Sequence, residues 1–338
     1  NWNWLLAGIS MGLAFNCKYT AILLPLGLIG FLIFSKRHQR LWKSLYPYLT
    51  LLLTVLLYSP VIYWNATHDF ASLLFQSSGR AEGVHFTLLN PLGTLSSQIL
   101  IVGPIFLLIF YLLGRYSLRL LLRNPIGSEN IFFMAFSVPI ILGFTFIAFT
   151  QWVKINWMMP GYITGMLLLV SVWGQKWMKG QLWFMTILHL LVIVQIIAYP
   201  IPIESDDTWV GWKELAEEVA DLSKEYPDHF IFSKDSYKTS AALNFYTSDK
   251  IFGENILSRP GLQFDFIGDD LGLLKGRNAI YIDSNPSFKT IENSENYSKD
   301  VSDHFKEVIP LEPIIYYRNN QPARKWSVFE CRNYSGPK

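Results

Sequence analysis

Five charged side chains stand apart in the largely apolar first 203 residues: the cations Lys18, Arg80 and Lys154 and the carboxylates Asp69 and Glu82. Lys18 is the extreme case. It lies in GLAFNCKYTAILLPLG, and no other Asp, Glu, Lys or Arg occurs among residues 1–35. An ionisable group at membrane depth is costly and usually functional. Lys18 and Lys154 each admit two readings. One is a long side chain that snorkels to the interface as an anchor; the other is a cation that holds a phosphate where a lipid meets the protein. Lys154 sits between Trp152 and Trp157 in QWVKINWMMP. Arg80 lies in a long stretch that also carries Phe70, Leu73, Leu74 and Phe75, with Glu82 and His85 beside it. Such a stretch reads as an amphipathic segment lying on a membrane, and Arg80 as either solvated or part of a site. His68 adds a further polar group. Three cations against two acids favour an anionic ligand such as a lipid-linked phosphate, because Coulomb attraction strengthens in a partly desolvated interface.

Long apolar elements must position these groups. The chain has 338 residues, 51% hydrophobic and 16% charged, with a mean hydropathy of +0.25; soluble domains carry about 25% charged residues. The deficit is confined to one half. Residues 1–203 hold three acids (Asp69, Glu82, Glu129) against twelve Lys or Arg; residues 204–338 hold 23 acids against 16 Lys or Arg. The halves are therefore +9 and −7. A bilayer is crossed by about 20 apolar residues in a helix. Charge-free runs predict helices near 19–35, 46–64, 95–113, 131–149, 158–174 and 182–200, with a shorter apolar piece over 4–17. The expectation is a polytopic α-helical membrane domain of about six to seven helices over 1–203, the C-terminal part of a larger one. The loops SKRHQRLWKS (35–44), GRYSLRLLLRN (114–124) and GQKWMKG (174–180) are basic, whereas 65–94 and 150–157 hold one Arg and one Lys. The positive-inside rule puts the first set in the cytoplasm and the second outside. Lys18, Arg80, Lys154 and residues 204–338 then share the outer side. Trp64, Trp152, Trp157, Trp173 and Trp177 mark the interfaces.

Residues 204–338 read as a small soluble α/β domain. A helix starts in DDTWVGWKELAEEVADLSKEY, with Asp206 or Thr208 as N-cap and Trp212, Leu215, Val219 and Leu222 at helical spacing. Strands are expected at 229–234, 278–284, 312–319 and 324–332, and a helix at 236–248. This half shows none of the common phosphate-loop, zinc-protease or nucleophile-elbow motifs. The two cysteines, Cys17 and Cys331, are far apart, and no cluster has metal-ligand spacing. No cofactor is evident, and a nucleic-acid partner is not expected. Asn65, Asn296 and Asn333 begin N-x-S/T triplets on the outer side.

The order of several motifs is familiar. GLAFNCKYTAILLP, YSPVIYWNATHDFASLLFQSSGR, VKINWMMPGY, GWKELAEEV and ALNFY follow one another over about residues 4–250. Together they resemble bacterial membrane glycosyltransferases of the dolichyl-phosphate-mannose protein mannosyltransferase type (family-39-like, GT-C fold). The resemblance implies an inner-membrane, multi-pass enzyme that takes a sugar from a polyprenyl-phosphate donor. It passes the sugar, with inversion, to an acceptor at the outer face: a protein, a lipid or a glycan. A carboxylate acts as general base, and cations stabilise the leaving phosphate, a role that suits Lys18, Arg80 and Lys154. Tyr19, His85, Asn156 and Trp157 are expected to line the site. The essential acid of such enzymes lies in the first outer loop, so the chain is expected to be N-terminally truncated, with that acid upstream of Asn1. Asp69 and Glu82 are the fallback within the sequence. Two other classes compete: a transporter or flippase-like protein, against which the lack of an internal repeat counts, and a non-catalytic scaffold. Charge reversal at Arg80 should impair activity more than reversal at Arg119, on the opposite side by loop charge. Equal effects in a transfer assay would contradict the assigned sidedness.

Overall fold

The computed structural model describes residues 2–77, 85–174, 177–201, 210–235, 237–268, 270–285 and 299–338. The chain divides into two compact units, residues 1–190 and 191–338.

In the first unit the charge-free runs form helices. They are α1 (Trp2–Cys17), α2 (Leu23–Phe34), α3 (Tyr46–Thr67), α4 (Ala71–Ser77), α5 (Leu89–Val102), α6 (Ile105–Leu121), α7 (Ser128–Ile147), α8 (Met159–Trp173) and α9 (Met178–Ala198), which runs on into the second unit. A 3-10 turn, Tyr19–Ile22, joins α1 to α2. The core lies between α6, α7 and α8, where Phe106, Ile109, Leu112, Ile141 and Leu168 are fully buried. No residue of α9 is buried although most of it is apolar, as expected of a helix whose solvent is lipid.

Helix α1 lies on α3 through a stripe of small residues. A Cβ on Gly8 would meet the Thr50 carbonyl oxygen at 2.7 Å, and one on Gly12 would meet Leu57 Cβ at 2.6 Å. Two glycines four residues apart let the backbones approach, as between helices in membranes. The approach brings hydrogen bonds. Thr50 Oγ1 donates to Trp4 O at 2.9 Å and Thr54 Oγ1 to Gly8 O at 3.3 Å. Asn16 Nδ2 donates to Leu57 O at 2.9 Å.

Among the described residues three helices, α3, α7 and α9, are long and apolar enough to cross a bilayer. The expected single span over 95–113 is not formed. α5 and α6 are separate helices, bent by 119°. The cause is Gly103-Pro104: Gly103 takes φ +79°, and Pro104 has no N–H to continue the helix. The Val102 carbonyl freed at the bend accepts from Gln181 Nε2 at 2.6 Å. Counting that pair as one span gives four, fewer than expected. The helices at 19–34 and 159–173 are apolar but shorter than the 18 residues of a full crossing.

The second unit contains α10 (Trp212–Glu225), α11 (Lys238–Tyr246) and α12 (Lys299–His304) with strands β1 (Phe230–Ser233), β2 (Ile251–Phe252), β3 (Ala279–Asn285), β4 (Phe305–Pro310), β5 (Ile314–Arg318) and β6 (Gln321–Tyr334). The sheet order is β2-β1-β3-β6-β4, with β5 also paired to β6. β1, β2 and β3 are parallel; the pairings of β6 are antiparallel. One face buries Leu215, Ala216 and Val219 of α10 against Ile231, Ile280 and Val328. The other stacks Phe232, Tyr281 and Phe329. The expected α/β character and four expected strands are present. β2, β4 and α12 are additions. The N-cap expected at Asp206 or Thr208 lies outside the described residues; Gly211, at φ +84°, precedes α10.

Gly12→Leu should separate α1 from α3 and cost at least about 2 kcal/mol, the scale of overpacking a filled interface. Gly143→Ala, where nothing lies within 4 Å of the added Cβ, should be neutral. Thermal unfolding of the two variants in detergent compares them; equal midpoints would contradict the close-packing account.

Candidate functional site

A cleft of about 420 Å³ opens where α1 ends against the last turns of α3. Phe15, Asn16, Cys17, Lys18, Tyr19, Pro60, Val61, Trp64 and Ser72 line it. Lys18 is the one extended residue between α1 and the 3-10 turn, with φ −162° and ψ 133°. Its backbone is held on both sides: its N–H donates to Ala14 O and its carbonyl accepts from Ala21 N, both at 3.0 Å. Its side chain is exposed. A fixed backbone carrying an exposed ammonium at a cleft is suited to an anion.

Behind Lys18 lies a polar cluster. Tyr19 Oη and Ser72 Oγ are 2.5 Å apart. Ser72 Oγ donates to Asn65 Oδ1 at 2.7 Å, and Asn65 Nδ2 donates to Tyr19 Oη at 3.3 Å and to Val61 O at 3.0 Å. Asn65 is 2% exposed, so its N-x-T triplet is no open acceptor for a glycan. Tyr58 packs edge-on against the Tyr19 ring, with centroids 6.4 Å apart. The cluster ties the 3-10 turn, the end of α3 and the start of α4 into one corner.

Asp69 sits in the turn between α3 and α4 and is exposed. It and Phe70 take φ +50° and +56°, a conformation costing on the order of 1 kcal/mol for such residues. The Asn65 carbonyl pins the turn by accepting from His68 N and Phe70 N at 3.2 and 2.8 Å. His68 stacks on Trp64 at 4.4 Å. Arg80 and Glu82 lie outside the described residues.

The segment that follows His85 meets the end of α7, ahead of the Lys154 loop, elsewhere in the first unit. Thr87 N donates to Phe149 O at 2.9 Å, and Phe86 stacks on Phe149. Lys154 and Asn156 are exposed, while Trp157 packs on Phe144 at 5.3 Å. Buried Gln98 anchors this loop: its Nε2 donates to Ile155 O at 3.1 Å and its Oε1 accepts from Tyr162 Oη at 2.5 Å. Tyr19 and Lys18 line the cleft at α1; Lys154, Asn156, Trp157 and His85 belong to this second group of elements.

Ionisable groups of the second unit gather at the carboxyl ends of its parallel strands. Lys234 and Arg259 both pair with Asp300, and Asp235 accepts from Thr239 N and Oγ1 to open α11. Burial raises the pKa of nearby Asp283. Arg324 is buried between Trp212 and Trp326, 3.8 and 4.6 Å from the ring centroids, and this burial lowers its pKa to about 10. Cys17 and Cys331 are both free thiols.

Charge-based reading of the sequence passed over Asn65, Ser72, Asn16 and Gln98, which are neutral. The available signals were spacing: Gly8, Gly12 and Asn16 repeat every four residues, and Ser72 follows Asn65 across a helix end.

Residues 1–64, which include Lys18, match the family described as Dolichyl-phosphate-mannose-protein mannosyltransferase. The chain is 23% identical over 231 residues to the lipid A galacturonosyltransferase RgtD of Rhizobium johnstonii, covering 65% of this chain and 47% of that protein. The chain thus spans about half the length of the curated relative it matches. No solved structure matches. The chain is similar to membrane glycosyltransferases of the GT-C type.

Proposed function

We propose that this chain forms part of a membrane glycosyltransferase that moves a sugar from a polyprenyl-phosphate donor to an acceptor, with inversion. The observation that carries the reading is Lys18: an ammonium at a cleft, on a pinned backbone, within the 64 residues that match the mannosyltransferase family. In this reading Lys18 pairs with the donor phosphate and offsets the charge that develops as the sugar–phosphate bond breaks. Lys154 and Arg80 add positive charge at the same side of the membrane. Tyr19, His85, Asn156 and Trp157 border the reaction space.

The general base is a carboxylate that takes the proton from the acceptor hydroxyl as it attacks. The family resemblance implies an acid in a first outer loop ahead of Asn1. Within the sequence, Asp69 is the described alternative and Glu82 the other. The reading also has α3, α7 and α9 crossing the inner membrane of a bacterium, with residues 204–338 on its outer side. The exposed apolar surface of α9 supports the membrane environment.

Lys18→Ala in the full-length protein should lower transfer from a polyprenyl-phosphate sugar by on the order of 100-fold, the scale of removing one group that stabilises a developing oxyanion. Lys18→Arg should recover part of it. Unchanged activity and donor affinity in Lys18→Ala, in a steady-state assay with folded protein, would make Lys18 an interfacial anchor and overturn the phosphate role.

A further inference from the structure

A second groove opens in the first unit, away from the Lys18 cleft. It has a volume of about 260 Å³ and lies between α2, α6 and α7. Leu26, Gly30 and Phe34 line it from α2, four residues apart and so on one face of the helix. Ile131, Val138 and Pro139 line it from α7. Residues 26–34 and 131–139 cover equal lengths, so the groove runs about 12 Å along both helices. Leu28 and Leu32, on the opposite face of α2, are buried with Met11 of α1. Two glycines account for the opening. A Cβ on Gly27 would meet the Ala135 carbonyl oxygen at 2.8 Å, whereas one on Gly30 would meet nothing within 4 Å. Helix α2 therefore touches α7 at Gly27 and leaves space at Gly30. The walls are apolar except for Ser117 of α6, whose Oγ is buried and has no hydrogen-bond partner among the described residues.

One end of the groove is charged and the other is not. Phe34 ends α2, Leu121 ends α6 and Ile131 lies in the first turn of α7. The chain leaving these ends forms the two basic segments 35–44 and 114–124. Lys36 and Arg37 follow Phe34, and Arg123 follows Leu121; all three are exposed. Glu129, also exposed, is the acid at this end. Arg119 donates to Pro125 O at 3.1 Å and lies over the Tyr116 ring, which holds the turn that carries Arg123. We propose that the groove holds an acyl chain of an anionic phospholipid, with its phosphate at this basic mouth. Ser117 lies one turn inside Leu121, about 6 Å deeper, where its hydroxyl can donate to the ester carbonyl of the lipid. Basic pockets between membrane helices suit anionic headgroups. A zwitterionic headgroup would bring a cation against Lys36, Arg37 and Arg123. The groove is separate from the donor cleft, because Lys18 precedes α2 at its other end. The inference rests on the membrane reading of the first unit and not on the phosphate role of Lys18.

The test is native mass spectrometry of the purified full-length protein, titrated in detergent with phosphatidylglycerol or phosphatidylcholine of identical acyl chains. Wild type should bind phosphatidylglycerol at least about tenfold more tightly, since each basic residue near an anionic headgroup contributes roughly a factor of five. Replacing Lys36, Arg37 and Arg123 together by Gln should bring the two lipids to equal affinity. Gly30→Leu fills the groove from α2 and should weaken binding of phosphatidylglycerol by about fivefold or more. Val138→Phe fills it from α7 and should act alike, so a folding defect in one variant does not decide the outcome. Gly143→Leu, also built into open space, is the control and should leave binding unchanged, as should Lys18→Ala. Equal affinity of wild type for the two lipids overturns the proposal, and so does binding unchanged in both groove-filling variants. Loss of phosphatidylglycerol binding in Lys18→Ala would place the lipid in the donor cleft and overturns it as well. A protein that stays dissolved without detergent fails instead on the membrane reading, which purification reports before any lipid is added.

Discussion

The close approach of α1 to α3 is the constraint on which the rest of the candidate site depends. Gly8 and Gly12 have no Cβ, and the space a Cβ would need is occupied by Thr50 and Leu57 of the facing helix. In lipid there is little hydrophobic gain in bringing two apolar helices together, so packing at short range and hydrogen bonds must do it. Each such bond averages only roughly 0.6 kcal/mol, which makes repetition important. Thr50, Thr54 and Asn16 repeat it along the stripe. The stripe then delivers the end of α1 to the end of α3 in a defined register. Lys18 and Tyr19 follow directly, opposite Asn65. Without that register the Tyr19–Ser72–Asn65 ring has no reason to close.

The same physical economy recurs at the Lys154 loop. Gln98 is neutral and fully buried, and it fixes a loop by one bond to Ile155 O and one from Tyr162. At the α5–α6 bend, Gln181 takes up the Val102 carbonyl, whose helical partner Phe106 N donates to Gly103 O instead. In both places a single glutamine settles backbone groups that an apolar surrounding would otherwise leave unpaired. Exposed cations are thus carried on short irregular segments, and neutral amides set where those segments lie.

Much of this was legible from the residue pattern. Absence of charge marked helices near 46–64, 131–149 and 182–200, where α3, α7 and α9 are found, because the signal there is long and uninterrupted. The tail read as α/β because apolar runs such as AIYI, in parallel strands, alternate with an amphipathic helix at 212–225. Lys18 stood out because a charge in an apolar run is costly. Other features were hidden for specific reasons. Gly103-Pro104 is a local breaker inside a charge-free run, and run length alone overrode it. β4, FKEVIP, offers two charges in six residues and pairs only at the sheet edge. Arg324 and Lys325 open the expected strand at 324–332, and their burial there has no signal in the sequence. Asn65 and Ser72 carry no charge, and their partner Tyr19 is brought to them only by the α1–α3 packing, a tertiary effect with no local signature.

The central claim is that the Lys18 cleft receives the phosphate of a lipid-linked donor. The measurement that addresses it most directly is a structure of the full-length protein with polyprenyl phosphate bound. The account predicts a phosphate oxygen at about 2.7–2.9 Å from Lys18 Nζ, the distance of a charge-assisted hydrogen bond, with the lipid running out past Trp64. A phosphate held by other cations, with the Lys18 side chain turned away into the lipid interface, would contradict it.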